Sequence, residues 1–413
     1  MSSLKIIYIS YDGMTDPLGQ SQVLPYLIGL SSLNYEIHLI SFEKEDRFLT
    51  RKNDIEKIIF KTKIVWHPLK YHPKPPVLST LYDIWNLNKK VNEIIEQHQI
   101  SLIHCRSYIS SLIGLKIKRK KGIPFLFDMR GFWADERVDG NIWNVKNPIF
   151  NFIYRYFKNK EKQYIKESDY IISLTENAKS EIEGWKLSQK NETNIQVIPC
   201  CADFNHFSIK KLNLSQQVSL RNELGILEDD FIISYIGSLG TWYMVDEMMQ
   251  LFSIALKKIP SCKFLILTAD SPEIAIKAAH KAGIDINKII IKRAERSEVP
   301  ALIALSQFSI FFIKPSYSKK ASSPTKLAEI LGMGVPVICN GNVGDVQAIV
   351  EKGNVGIVIN EFNEQAYNNA IDKILSKLPF DKEQIASYAQ KYASLEDGIK
   401  KYQSVYQKIA QHY

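Results

Sequence analysis

Short runs of apolar, largely β-branched residues punctuate this chain; the first ends at Asp12-Gly13 and the one at 231–236 ends in Gly237-Ser238-Leu239-Gly240. Strands buried on both faces of a parallel sheet read this way, as continuous apolar runs rather than as alternation. Such runs lie at 5–10, 36–42, 102–105, 125–128, 170–174 and 195–199, with helix-like stretches at 21–33, 84–97, 108–118 and 177–184. Residues 203–220 are polar and without a clear period, and then the pattern restarts. Strands are expected at 231–236, 264–268, 289–291, 310–313, 336–339 and 356–359. Helices are expected at 245–259, 272–282, 298–305 and 325–333, with two more across 382–412. Strand–helix–strand repetition of this kind predicts α/β architecture with two Rossmann-like, doubly wound domains. The expected organisation is a first domain over 1–203, a second over 204–390, and a C-terminal helix over 391–413 crossing back to the first. Ligands of such domains bind beyond the carboxyl ends of the strands.

The length of 413 residues suits two domains that bury ordinary cores. An apolar fraction of 45% with 23% charged residues excludes a disordered chain. No run of about 18 apolar residues occurs, and the N-terminus lacks the charged start and cleavage site of a signal peptide. The five cysteines are scattered and form no C-x-x-C pair, so neither a zinc motif nor a redox motif is expected. A reducing cytoplasm fits them, which would leave the sequons at Asn191 and Asn213 unused.

The densest chemical signal is Ser322-Ser323-Pro324-Thr325-Lys326-Leu327-Ala328-Glu329, followed by Gly334-Val335-Pro336-Val337. Ser323 is placed as an N-cap and Pro324 as the first helical residue. A helix N-terminus after a strand presents N–H groups and a positive dipole end to a phosphate. Lys326 in the first turn is unfavourable unless an anion lies nearby, and the Glu329 carboxylate could accept both hydroxyls of a ribose. The plain alternative is a capped core helix with Lys326 and Glu329 in solvent.

Ser-Pro-x-Lys-x-x-Glu with Gly-x-Pro-Val resembles the donor-binding motif of glycosyltransferase family 4, enzymes of the GT-B fold. Other landmarks occur in the family's order: Tyr8–Gly13 with Pro17–Ser21, Ile103–Arg106, Asp128–Trp133, Val197–Asp203 and Tyr235–Gly240. The resemblance covers nearly the whole chain. It implies two Rossmann-like domains facing a central cleft and a bacterial, configuration-retaining hexosyltransferase. The donor would be a UDP- or GDP-type sugar, with no metal and no cofactor. Glu329 would hold the ribose, and Ser323, Pro324, Thr325 and Lys326 would line the diphosphate and sugar. Gly237, Ser238 and Gly240 would let the backbone approach the phosphates, with Gly19 doing so from the other domain. Asp128 would act on the acceptor side as base or hydroxyl ligand, with His104 and Arg106 contacting the sugar. His104 as a satisfied strand-end histidine, and Asp128 paired with Arg130, are the structural alternatives.

Four positions that depart from the family pattern bear on mechanism. Ser238 stands where an Arg is usual and Tyr243 where a Lys is usual. Ala321 replaces an earlier Glu, and Arg106 replaces a second His. Positive charge on the leaving diphosphate must then come from Lys326 and the helix dipole, with Lys314, Arg293 and Lys292 as further candidates. These losses keep open a non-catalytic partner of an active transferase, and the fold also houses nucleotide-sugar epimerases.

Charge is uneven. Residues 1–200 carry 29 basic and 22 acidic side chains, the remainder 24 and 22. Lys116, Lys118, Arg119, Lys120 and Lys121 cluster. Residues 146–166 interleave six basic residues, Arg155 and Lys158 among them, with Phe150, Phe152, Tyr154, Tyr156, Phe157 and Tyr164. Such a surface suits an anionic membrane, at about 1 kcal/mol per cation near it. Lys118, Arg119, Lys120, Arg155 and Lys158 are the expected contacts. The expected partners are a nucleotide sugar and a glycan or lipid-linked acceptor, at the inner face of the plasma membrane. No nucleic-acid-binding module is visible.

Overall fold

The computed structural model describes residues 4–187 and 194–411; the sequon at Asn191 lies outside them. The chain divides into two compact units, Met1–Pro199 with Leu395–Tyr413, and Cys200–Ser394. The sequence expectation had set these boundaries at 203 and 391. The two crossings of the chain are tied together inside the second unit, where the Ala202 N–H donates to the Ala393 carbonyl at 3.0 Å.

Among the described residues the first unit holds seven parallel strands. They are β1 Lys5–Ser10, β2 Glu36–Glu43, β3 Ile64–Lys70, β4 Leu102–Arg106, β5 Phe125–Asp128, β6 Tyr170–Ser173 and β7 Ile195–Val197, ordered β3-β2-β1-β4-β5-β6-β7. The order reverses between β1 and β4, so the loops after these strands diverge to opposite faces and leave a crevice at their C-terminal ends. The second unit repeats the plan with six strands. They are β8 Phe231–Ile236, β9 Cys262–Leu267, β10 Ile289–Lys292, β11 Phe308–Phe311, β12 Val337–Asn340 and β13 Gly356–Ile359, ordered β10-β9-β8-β11-β12-β13, with the reversal between β8 and β11. The central strands are buried along their length, as their unbroken apolar runs require.

Several elements differ from the expectation for identifiable reasons. β3 carries His67 and Pro68 among half-buried residues, which an edge strand tolerates. The expected helix 21–33 is broken at Val23 into Pro17–Gln22 and Leu24–Ser32, with Pro25 opening the second piece. The polar connection contains the helix Leu214–Glu223, capped by Asn213, whose side chain accepts the Ser215 N–H at 2.9 Å. The Asn213 sequon is therefore a helix cap.

The helix Leu395–Ala410 belongs to the first unit and packs on Leu24–Ser32, where Ile399 occupies the space a side chain at Gly29 would need. Its Tyr402 and Tyr406, one turn apart, face the sheet, with rings 5.5 and 5.4 Å from Tyr26 and Tyr35. All five cysteines are buried and none is in a disulfide. No helix of the described residues is long and apolar enough to cross a membrane.

Candidate active site

In the second unit the helix Thr325–Gly332 starts beyond β11, beside the switch point. Its N-cap is Pro324, not Ser323, and no side chain caps it. The Ser323 hydroxyl instead accepts the Cys200 N–H at 3.1 Å. Leu327, Ala328, Ile330 and Leu331 bury the core face.

Lys326 is not in solvent. It is 8% exposed, with Nζ 3.7 Å above the Tyr243 ring centre, 4.5 Å from that of Tyr235, and donating to the Tyr235 hydroxyl at 3.3 Å. Burial drives its pKa well below 10.5, with the Glu329 charge opposing; the two π-faces also favour the ammonium. Gly237 makes this possible. Its φ is +129°, and a Cβ there would lie 2.5 Å from Lys326 Nζ. The loop after β8 is pinned by Asp270, which accepts the Leu239 N–H at 2.6 Å, and Tyr235 donates to the Ser238 carbonyl. Nothing lies within 4 Å of the Cβ position of Gly240. A second buried lysine, Lys319, sits 3.7 Å over the Trp242 ring.

Glu329 is 13% exposed on its side chain, 3.5 Å from Arg296 Nη1. Burial raises its pKa, with Arg296 first and then His206 and Lys326 pulling the other way. Arg296 stacks over Phe207 at 5.4 Å, and its carbonyl accepts from His206 Nε2 at 2.9 Å. Arg296 and His206 were absent from the sequence reading. Their signal was Arg296 three residues beyond Arg293 at the end of β10. Arg293 and Lys314 are exposed. Lys292 is committed to Glu223 (2.7 Å) and Glu298 (3.6 Å) on the surface, which removes it from the diphosphate candidates.

In the first unit a buried polar cluster closes the C-terminal ends of β4 and β5. Asp128 Oδ2 accepts from Tyr402 at 3.0 Å and from His104 Nε2 at 3.3 Å, and His104 Nδ1 lies 2.7 Å from the Tyr406 hydroxyl. Burial lowers the pKa of His104, leaving the ring neutral, so Nε2–H donates to Asp128 and the Tyr406 hydroxyl donates to Nδ1. For Asp128, burial would raise the pKa, but Arg130, His104 and Arg106 outweigh it and hold the carboxyl below 3.8. Arg130 Nη1 is 4.0 Å from Oδ1, an ion pair too long for a hydrogen bond. Asp128 Oδ1 and the Nε and Nη1 of Arg106 are buried without a hydrogen-bond partner among the described residues, Arg106 Nε lying 3.5 Å from Asp12. Both His104 nitrogens are occupied and both residues are at or below 1% exposure, which leaves Asp128 Oδ1 as the acceptor of the pair without a hydrogen bond among the described residues. Through Tyr402 and Tyr406 the pair ties the helix Leu395–Ala410 to β4 and β5. A Cβ on Gly19 would strike the Gly13 carbonyl, so packing within its own loop explains that glycine.

A family model for glycosyltransferase family 4 matches residues 23–206, and one for glycosyl transferases group 1 matches 216–392. The chain is a family 4 glycosyltransferase of the GT-B fold. It is 20% identical over 366 residues to EpsD of Bacillus subtilis (strain 168), a glycosyltransferase by its name, covering 86% of this chain and 84% of that one. Its fold is similar to that of sucrose-phosphate synthase from Thermosynechococcus elongatus (TM-score 0.74, 13% identity, 99% and 100% of the two chains). It is also similar to Anabaena HepE in complex with UDP and glucose (TM-score 0.70, 14% identity, 97% and 99%).

In this glycosyltransferase the second unit gathers Gly237, Lys326 and Tyr243 at one point, and Glu329 with Arg296 at another on the same helix. Tyr243, which stands where the family's lysine is usual, is the ring on which Lys326 rests. The expected membrane cations fare unevenly. Lys118 pairs with Asp169 at 2.5 Å and Arg119 with Glu167, while half-buried Lys158 bridges Asp135 (2.8 Å) and Glu161. Lys158 is therefore an internal bridge rather than a lipid contact. Lys120 and Arg155 are exposed.

Proposed function

We propose that this glycosyltransferase takes a hexose from a nucleoside-diphosphate sugar and transfers it, with retention of anomeric configuration, to a lipid-linked glycan. The observation that carries the donor reading is Lys326 and Glu329 on one helix whose N-terminus lies at the switch point of the second unit. Breaking the anomeric C–O bond leaves negative charge on the diphosphate. The Lys326 ammonium and the N–H groups of Thr325 and its neighbours supply fixed positive charge to meet it. Ser323, Pro324, Gly237, Ser238 and Gly240 belong to the segments that meet at this point, and Arg293 is an exposed cation after β10. Glu329, steered by Arg296, accepts the ribose hydroxyls. HepE, with UDP and glucose bound, supports a donor of this kind.

Calorimetric titration with UDP and with GDP tests this. One nucleotide should bind, and Glu329→Gln should weaken it about 10- to 100-fold, the cost of losing charge-assisted hydrogen bonds. Binding of neither nucleotide, or equal affinity in the variant, rejects the donor site.

The acceptor reading rests on the first unit's surface. Leu78, Leu81, Tyr82 and Trp85, each more than half exposed, form a stripe at helical spacing on the helix Leu78–Gln97. Ile149, Phe152 and Tyr156 form another on Pro148–Glu167, beside exposed Arg155. Apolar stripes flanked by cations suit an anionic bilayer. Trp85→Glu combined with Phe152→Glu should abolish co-sedimentation with anionic phospholipid vesicles while UDP affinity stays unchanged. Undiminished co-sedimentation counts against a membrane-bound acceptor.

A further inference from the structure

A second group of side chains meets at the other end of the first sheet, away from the strand C-termini. Glu36 is the first residue of β2 and His38 lies two residues on, so both leave the same face of the strand. His98 caps the C-terminus of the helix Leu78–Gln97, and His67 comes from β3. One ligand-capable atom from each of Glu36, His38 and His98 lies within 4.8 Å of the others. The rings of His38 and His98 are 4.4 Å apart, and His38 Nδ1 is 3.1 Å from His67 Nε2. His38 is 1% exposed, and its Nε2 makes no hydrogen bond; Glu36 Oε1 is 3.6 Å away. A buried ring nitrogen left unmet in this way is costly.

We propose that Glu36, His38 and His98 bind a divalent transition-metal ion of the zinc type, with water completing the coordination. Two imidazoles and one carboxylate are a donor set that zinc accepts, with bonds of about 2.0–2.1 Å. Tetrahedral geometry then brings ligand atoms to roughly 3.4 Å from one another, so the set closes by about an ångström through side-chain rotation. His67 completes the arrangement from behind. With His67 Nε2 accepting a hydrogen bond from the His38 Nδ1–H, the Nε2 lone pair of His38 is left for the metal, the role an outer partner plays for a ligating histidine. Glu36 and His98 are half-buried, so the ion enters from solvent. Lys5, 3.2 Å from Glu36 Oε1, is the cation that a metal displaces. The ion would tie β2 to the end of the helix Leu78–Gln97. Its ligands come from separate segments, so no local spacing motif announces them.

The test is zinc titration of the full-length chain after EDTA treatment, followed by calorimetry and by thermal unfolding. One ion per chain and a higher Tm are expected. His98→Ala should remove that ion with the far-UV circular dichroism unchanged, and His67→Phe should weaken it about 10- to 100-fold. Cobalt should give visible d–d bands that His98→Ala abolishes. Should His38→Ala fail to fold, Glu36→Gln at its half-exposed position gives the same readout. No binding in the unsubstituted chain, or equal binding in every variant, overturns the site.

Discussion

Replacing Lys326 by methionine should lower kcat by about 10²- to 10³-fold, the usual cost of removing one preorganised charge from a developing anion. The same substitution should leave the Tm unchanged or raise it. Methionine keeps the length and contacts of the side chain on Tyr235 and Tyr243, whereas the buried ammonium carries a desolvation cost that its ring contacts only partly offset. Opposite movement of rate and stability is the signature of a charge held for function. A loss of stability with little change in kcat would mean that Lys326 is a packing residue. The diphosphate charge would then have to come from elsewhere, with exposed Arg293 as the next candidate.

Asp128→Asn should destabilise the first unit by about 3–5 kcal/mol, the range for removing one partner from a buried ionic cluster. At about 2–4 °C per kcal/mol for a unit of this size, the Tm should fall on the order of 10 °C. The carboxylate only accepts, and its neighbours donate: Tyr402, His104 and two guanidinium groups. The amide turns a donor toward some of them and leaves the arginines without their counter-charge. The pH dependence has a definite sign. With the folded pKa held below 3.8, the carboxylate's contribution is fully present above that value and is lost as pH falls through the lower, folded pKa. The difference between native protein and variant should therefore be constant from neutral pH to about pH 5 and shrink below pH 4. A shift of less than about 1 kcal/mol would remove Asp128 from the anchoring role.

The sheet architecture was legible because doubly buried strands leave apolar runs no other element explains; β1, β5 and β8 agree with the expectation residue for residue. β3 was not, since an edge strand admits His67 and Pro68. The helix Glu364–Ser376 was overlooked, although Tyr367, Ala370, Ile371 and Ile374 keep helical spacing. At the site, Glu329 and Lys326 were legible as a motif, but their environments were not. That Lys326 rests on Tyr243, or that Arg296 steers Glu329, depends on loops folding together from distant parts of the chain. His104 illustrates the same limit. Its two partners lie 24 and 302 residues away, and no local pattern reports them.

The helix Leu395–Ala410 gives the polypeptide a temporal problem during synthesis. The hydroxyls that cover Asp128 and His104 are made only after the entire second unit has been synthesised. At translation rates of about 5–20 residues per second, that delay is roughly 10–40 s. Through that interval the nascent first unit holds a nearly complete sheet with an uncovered carboxylate and two guanidinium groups. Its final locking thus waits on the synthesis of the second unit, and a nonsense mutation near residue 395 would damage the earliest-made half of the enzyme.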